Sequence, residues 1–342
     1  MKALRTPGGY SFRADTRSLV VVAGLLAAAL AAGVVLVGSG DFAVSPPDVI
    51  RTLFGHGSAQ QDFIINELRL PRVLVGLLVG AAFGISGTVF QSISRNPLGS
   101  PDVIGFGQGS SVGALVVLVW FGGSATQVAA GALVGGLATG VAVYLLAWKK
   151  GVHGYRLVLV GIGAAAMLTA CIQYLLTKAQ LVDATRAMVW LTGSLDGRDW
   201  AQVWPLLALF AVLVPVILVY VRPLRMLEMG DDAAYALGVP VQRTRTVLML
   251  AAVLLNAAAT AAAGPIAFVA LTAPQLARRL TRATGPNVMA SACMGATLLL
   301  VADWASQRLF GESKLPVGVV TGVVGGIYLL WLLVTERKAG RI

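Results

Sequence analysis

An all-α polytopic membrane bundle of about ten helices, both termini cytoplasmic, follows from three properties of this chain. Apolar residues make up 57% of its 342 positions and charged residues only 12%, where a water-soluble fold carries about 25% charge. Apolar runs long enough to cross ~30 Å of hydrocarbon as helices recur along the whole length. The basic residues are also divided unevenly between the two sides that those crossings define.

The crossings are expected at 18–38, 70–93, 101–121, 124–148, 155–177, 200–221, 245–264, 266–281, 286–309 and 315–335. The eighth is short and glycine interrupts the third, so nine or eleven crossings also fit. With both ends inside, 18 of the 26 Lys and Arg residues face the cytoplasm, as the positive-inside rule requires. The net charge of +11 follows from this topology, and no nucleic-acid partner is needed to explain it. The first run follows a basic segment, but it is longer than a signal-peptide core and lacks a clean cleavage site. It reads as an uncleaved span.

One domain, 1–342, is expected, with no linker and no appended soluble module. The longest outside connection, about Gly40 to Leu68, contains a short amphipathic piece from Asp48 to Phe54. Between the sixth and seventh crossings, Pro223 to Pro240 reads as two short helices in series. Pro223 suits the first turn of a helix, where no N–H is needed, and Gly230 can close that helix in the left-handed conformation. Asp231 can cap the second helix, with Asp232 on its positive end. Gly238 and Pro240 stop it. This is a structured cytoplasmic knuckle, suited to being gripped by a partner. Alternatively Leu224, Met226 and Leu227 lie on the membrane as an interfacial anchor.

Inside the membrane, Gly76, Gly80 and Gly84, and then Gly318 and Gly322, have the spacing of close helix packing. Gly105, Gly107, Gly109 and Gly113 are expected to loosen the third helix. Asn96-Pro97-Leu98-Gly99-Ser100-Pro101 forms a proline-pinned turn. Gly264-Pro265 separates two apolar runs with no charged loop between them, and Pro274 breaks the second run. Irregular backbone at this depth is tolerated only inside protein or beside a cavity, so Ala261 to Leu280 is expected to border a path.

Much chemistry is missing. No phosphate-cradling Gly-x-x-x-x-Gly-Lys-Ser/Thr motif occurs, so the chain is not expected to hydrolyse ATP. His56 and His153 read as solvated loop residues, and Cys171 and Cys293 as small core residues. Together they make no plausible metal site. Asp303 is the one acid inside a span. It is either a buried hydrogen-bonding group that holds helices together or an ion relay.

The motifs Arg69-Leu70-Pro71-Arg72, Gln91 with Arg95 to Pro101, Gly230 to Gly238, Gly264 to Val269 with Pro274, Ala302-Asp303 and Leu315-Pro316-Val317-Gly318 occur in order over nearly the full chain. In this the chain resembles the ten-helix, FecCD-type permeases of binding-protein-dependent ABC importers for iron–siderophore complexes, haem and vitamin B12. Phe90 to Asp102 and Trp190 to Trp200 are similar to the second permease subunit of ferric-enterobactin-type systems. Gln275 stands where many relatives have His, and Ala270 where many have Gly.

The resemblance implies a transport subunit of a bacterial cytoplasmic membrane, with no catalytic residue, metal or cofactor of its own. Its partners would be a second, different permease subunit, two ATPase subunits carrying ATP and Mg, and an extracytoplasmic binding protein that delivers a ferric siderophore. Arg69, Arg72 and Arg308 would dock acidic side chains of that binding protein, although outer-end arginines also snorkel to headgroups without a partner. The coupling set would be Leu224, Leu227, Gly230, Asp231, Asp232, Ala234, Leu237 and Gly238. Gln91, Asn96, Pro97, Gly264, Pro265, Pro274 and Asp303 would be structural or border the path.

Overall fold

A computed structural model of the chain describes residues 2–5, 11–40, 42–149, 151, 154–309 and 315–338. Fifteen described helices follow one another: α1 (Thr16–Gly38), α2 (Pro46–Leu53), α3 (Ala59–Asp62), α4 (Leu70–Ser94), α5 (Phe106–Phe121), α6 (Ala125–Ala147), α7 (Gly154–Lys178), α8 (Leu181–Leu191), α9 (Trp200–Val219), α10 (Val221–Glu228), α11 (Asp231–Ala236), α12 (Val241–Ala263), α13 (Val269–Thr281), α14 (Val288–Arg308) and α15 (Val317–Lys338). A π-helical stretch, Phe63–Arg69, joins α3 to α4. Ahead of α1, Lys2–Arg5 and Ser11–Ala14 pair as a small antiparallel ribbon, a feature the apolar pattern does not announce.

Each of the ten predicted crossings coincides with one of these helices. Seven described helical segments are long and apolar enough to cross a membrane, and α5 and the apolar part of α15 are shorter apolar helices. The expected eighth crossing is different. α13 has 13 residues, about 20 Å at 1.5 Å per residue, which falls short of ~30 Å. The non-helical stretch from Gly264 to Phe268 supplies the rest. α5 likewise starts at Phe106 rather than 101, because Pro101 to Gly105 forms a turn.

Outside the bundle more is helical than expected. Ser58 and Gln61 form a reciprocal capping box, and from Ala59 the chain is helical through to Ser94. α8 occupies what reads in sequence as a loop. Its Asp183 and Arg186 interrupt the apolar pattern, while Leu181 and Val182 are exposed.

The core is built on close backbone contact. A methyl group at Gly80 or Gly84 would collide with the Gly295 or Ser291 carbonyl of α14, and one at Gly76 with Leu300 and Leu195. Lipid gives helices no hydrophobic drive to associate, so small residues that admit close van der Waals contact take its place. In α5, Gly109 and Gly113 lie against Gly135 and Gly131 of α6. They weld that helix to its neighbour rather than loosen it, because the two glycine rows face each other. Gly318 touches the Thr192 carbonyl, whereas a methyl at Gly322 would meet nothing. α4 and α12 form the buried centre, with Phe83, Phe90, Leu248 and Leu255 in one continuous cluster. Cys293 is half-buried, but Cys171 is exposed on α7 rather than a core residue. His56 is exposed in its turn, and His153 lies outside the described residues.

Candidate functional site

The knuckle at 223–240 is the most developed of three sites. α10 begins at Val221, immediately after the Tyr220 hinge, so Pro223 is its third residue rather than its first. Position three still needs no intrahelical N–H, which is why proline is tolerated there. Gly230 is the N-cap of α11 with φ +114° and ψ 155°. This is a positive-φ extended conformation, not the left-handed helical one, and it strongly favours glycine. Asp231 is then the first helical residue and makes no capping bond. Instead its carboxylate accepts from Arg245 Nη2 of α12 at 2.8 Å, while Asp232 sits beside it at the positive helix end. Gly238, at φ +79°, closes α11 through bonds from its own N–H to Tyr235 and from Val239 to Ala234.

Burial sorts the expected coupling residues into two groups. Leu224 and Leu227 face the bundle, and Leu227, Ala234, Val239 and Val241 form a small core of their own. These side chains fasten the knuckle and cannot themselves be touched by a partner. Asp232, Tyr235, Leu237 and Gly238 are exposed, with Leu237 57% accessible.

Glu228, the last residue of α10, ties the knuckle to the transmembrane helices. It accepts from Ser92 Oγ of α4 at 2.7 Å and pairs with Arg278 of α13 at 2.5 Å. Arg278 also donates to Ser92 at 3.3 Å. Neither Glu228 nor Arg278 was among the predicted site residues. Arg245 was equally missed: in sequence it is a cation at the start of an apolar run, and only the fold shows it 1% exposed and so in need of a partner.

The second site is the break between α12 and α13. Gly264 has φ +77°, and a Cβ there would stand 2.6 Å from the Trp190 carbonyl. Ser194 N–H donates to Ala263 O at 2.8 Å, and Gly318 N–H to Gly193 O at 3.1 Å. The C-terminal end of α8 is therefore laced to the break and to α15. Beyond Pro265, Phe268 takes a left-handed conformation and starts α13. The carboxylate of Asp102, in the turn before α5, lies near the Phe268 backbone N–H. Pro274 has no N–H for the Ala270 carbonyl one turn earlier. That carbonyl is met by the bare backbone of Gly87. Gln91 donates to the neighbouring Leu271 carbonyl at 3.0 Å. Gln275 in turn donates to Gln91 Oε1 at 3.0 Å and to Pro97 O at 2.8 Å. Asn96 Oδ1 accepts from Leu98 N–H at 2.9 Å, which shapes the turn. Gln91, Asn96, Pro97 and Pro274 thus belong to one network, and Gln275 completes it.

The third site is at the N-terminal end of α4 and the C-terminal end of α14. Arg72 forks onto Asp303 through Nε at 3.1 Å and Nη2 at 2.8 Å, and its Nη1 reaches Asp196 at 2.9 Å. Asp303 is 1% exposed and also accepts from Gln307. Its two oxygens are both occupied by partners on the protein. Arg69 donates to the Val37 and Phe42 carbonyls, both at 2.8 Å, and so pins the connection after α1. Arg308 is exposed at the end of α14. Among the described residues no cluster of three or more His, Cys, Asp or Glu could hold a metal ion.

Two short helices, a broken helix pair and an arginine-bearing end thus make up the three sites. The model of the FecCD transport family matches residues 20–335. The ferric enterobactin transport system permease protein FepG of Escherichia coli (strain K12) is 46% identical over 94% of this chain and 98% of its own length. The iron(3+)-hydroxamate import system permease protein FhuG of Bacillus subtilis (strain 168) is 37% identical, over 86% of this chain and 90% of its own. A solved ABC transporter in an inward-facing conformation superposes with a TM-score of 0.83 at 27% identity, covering 93% of this chain and 99% of that one. On the match over nearly its entire length, and on the relatives that match it throughout, the chain is a permease of the FecCD transport family.

Proposed function

We propose that this chain is the membrane-spanning subunit of an ATP-binding-cassette importer that moves a ferric siderophore, of the catecholate enterobactin-like class, across a bacterial cytoplasmic membrane. The observation that carries the substrate class is the 46% identity, sustained over 94% of the chain, to a permease named for ferric enterobactin. Relatives named for hydroxamate and citrate complexes are less similar, at 37% and 38%. Haem or a cobalamin-like chelate is the alternative cargo within the family.

The whole chain acts as one permease domain of ten crossings, with both ends in the cytoplasm. A second permease subunit, different from this one, completes the path, and two ATPase subunits bind ATP and Mg. A binding protein delivers the chelate to the outer face, where Arg69, Arg72 and Arg308 offer positive charge to its carboxylates. Leu237, Tyr235, Asp232 and Gly238 meet the ATPase. Leu224, Leu227 and Ala234 keep α10 and α11 rigid, and Gly230 and Asp231 fix the angle between them.

The mechanical reading is direct. Movement of the knuckle pulls on Glu228, and the pair with Arg278 passes the pull to the inner end of α13. α13 is a short rigid strut whose other end is the break at Gly264 to Phe268. Displacing it shifts the backbone that borders the path. A chelated iron already wrapped by its siderophore needs no ligand from the protein. A stand-alone ion-coupled carrier would need an uncommitted acid at depth, and Asp303 is already held by Arg72.

The test is uptake of radiolabelled iron into liposomes that hold the two permease subunits and the ATPase, with loaded binding protein outside. ATP-dependent uptake of ferric enterobactin, exceeding that of ferric citrate, ferric hydroxamate and haem, is the expected result. Uptake without nucleotide, or a clear preference for haem, overturns the reading.

A further inference from the structure

A cavity of about 240 Å³ opens between α6 and α9, with α12 as its floor. Ala129, Leu133, Pro205, Leu209, Ala258 and Ala262 give it an almost wholly apolar wall. A second cavity of about 880 Å³ continues from it. The two share Ala129, Gln202 and Ala261, so they form one groove with a wide mouth.

The mouth differs from the groove in chemistry. Arg186 of α8 and Arg198 line it with Ser124 and Thr185. The acid among its lining residues, Asp196, is already paired with Arg72 at 2.9 Å. Burial draws the Arg198 guanidinium below its ordinary value, with Asp196 and Asp199 opposing the shift. The mouth is therefore a cationic, partly desolvated ring above an apolar slot.

Aromatic side chains fix its level. Trp200 stacks on Trp204, centroids 5.6 Å apart, at the outer end of α9, and Trp204 is 61% exposed. Trp120 and Phe121, at the adjoining end of α5, are 60% and 76% exposed. Exposed tryptophan collects where headgroups meet hydrocarbon. The arginines thus lie at headgroup height and the groove at acyl-chain height.

We propose that this two-part cavity is a binding site for one anionic phospholipid of the outer leaflet. An acyl chain fills the slot between α6 and α9, and the phosphate sits between Arg186 and Arg198. Arginine suits a phosphate because its planar fork donates two parallel bonds. The site adjoins the helix break through Trp190, Ser194 and Ala261, but none of the knuckle's residues lines it.

The experiment uses the assembled transporter in phosphatidylcholine nanodiscs carrying a trace of phosphatidylglycerol with a photo-crosslinking group on its acyl chain. Crosslinks are expected to concentrate at 126–133, 201–209 and 258–262. Excess plain phosphatidylglycerol should suppress them, and inorganic phosphate should not. Arg186→Glu is expected to lower the yield about fivefold or more, since one arginine near an anionic lipid surface is worth about that factor. Ala130→Phe fills the slot from an exposed position and should lower it as well. Because that variant disturbs no buried contact, it reads the groove even where Arg186→Glu perturbs α8. Crosslinks spread evenly over α1, α7 and α15, insensitivity to both variants, or suppression by inorganic phosphate would each overturn the proposal.

Discussion

Arg72 and Asp303, 231 positions apart in sequence, meet as a two-bonded fork near the N-terminal end of α4 and the C-terminal end of α14. The same two helices are in backbone contact lower down, at Gly80 and Gly295. The ion pair therefore closes the open end of a crossing that glycine has already made tight. Breaking a fully buried pair costs about 3–5 kcal/mol. The Arg72 side chain is 21% exposed, so its guanidinium recovers some hydration when the acid is neutralised.

Asp303→Asn is accordingly expected to destabilise the permease by about 2–3 kcal/mol, somewhat below the cost of a fully buried pair. The measurement is thermal melting in detergent beside iron uptake by the protein that does fold. A melting point lowered by several degrees with near-normal uptake per folded molecule is the expected pair of results. An unchanged melting point with abolished uptake would restore the ion-relay role.

Glycine size, rather than flexibility, governs the contact between α4 and α13. A methyl group at Gly87 would drive into the Ala270 carbonyl, while one at Gly322 would meet open space. Gly87→Ala should cost about 1–3 kcal/mol or more, as overpacking does in close-packed interiors, and should lower transport by tilting α13. Gly322→Ala should leave both melting and transport near the parent values. Equal effects of the two substitutions on melting would refute the assignment.

How much of this was readable follows from what lipid demands. A crossing must be a continuous apolar stretch, so the seven long apolar helices declare themselves in hydropathy, whereas α13, with 13 residues, is too short to do so. The glycines and prolines at 264, 265 and 274 declare the break. α8 was hidden because Asp183 and Arg186 on one short helix look like loop composition. The glycines of α5 were misread because their meaning depends on Gly131 and Gly135 across the interface, and sequence position does not say which helices face each other. The same holds for the pairs of Glu228 with Arg278 and Asp231 with Arg245. Each charge was visible, but the pairing is tertiary. Gln91 was legible alone as a polar side chain in an apolar helix, whereas its bond to Leu271 O needs the fold.

The strap between Glu228 and Arg278 predicts an uncoupling phenotype. Their side chains are 18% and 31% exposed, so the pair falls between an exposed one, worth under about 1 kcal/mol, and a buried one. Glu228→Gln should leave ATP hydrolysis stimulated by the loaded binding protein while lowering transport per ATP roughly tenfold, the factor that 1.4 kcal/mol represents. The double reversal, Glu228→Arg with Arg278→Glu, should recover part of the loss. Hydrolysis and transport falling in proportion would mean that the pair only stabilises the fold.

The outer arginines separate by what they already hold. Arg69 is engaged with the Val37 and Phe42 carbonyls, and Arg72 with two carboxylates, whereas Arg308 stands exposed at a helix end. Charge reversal at Arg69 or Arg72 therefore disturbs the permease itself, and Arg308→Glu is the clean probe of docking. If Arg308 attracts acidic groups of a binding protein, its reversal slows association mainly at low ionic strength. The screening length falls from ~30 Å at 0.01 M to ~3 Å at 1 M salt, so steering fades over that range while short-range contacts persist. Association rates of loaded binding protein with the reconstituted transporter, taken across that salt series, are expected to drop about tenfold at the dilute end. They should converge with the parent at the concentrated end. Rates identical to the parent at every salt concentration would remove Arg308 from the docking surface.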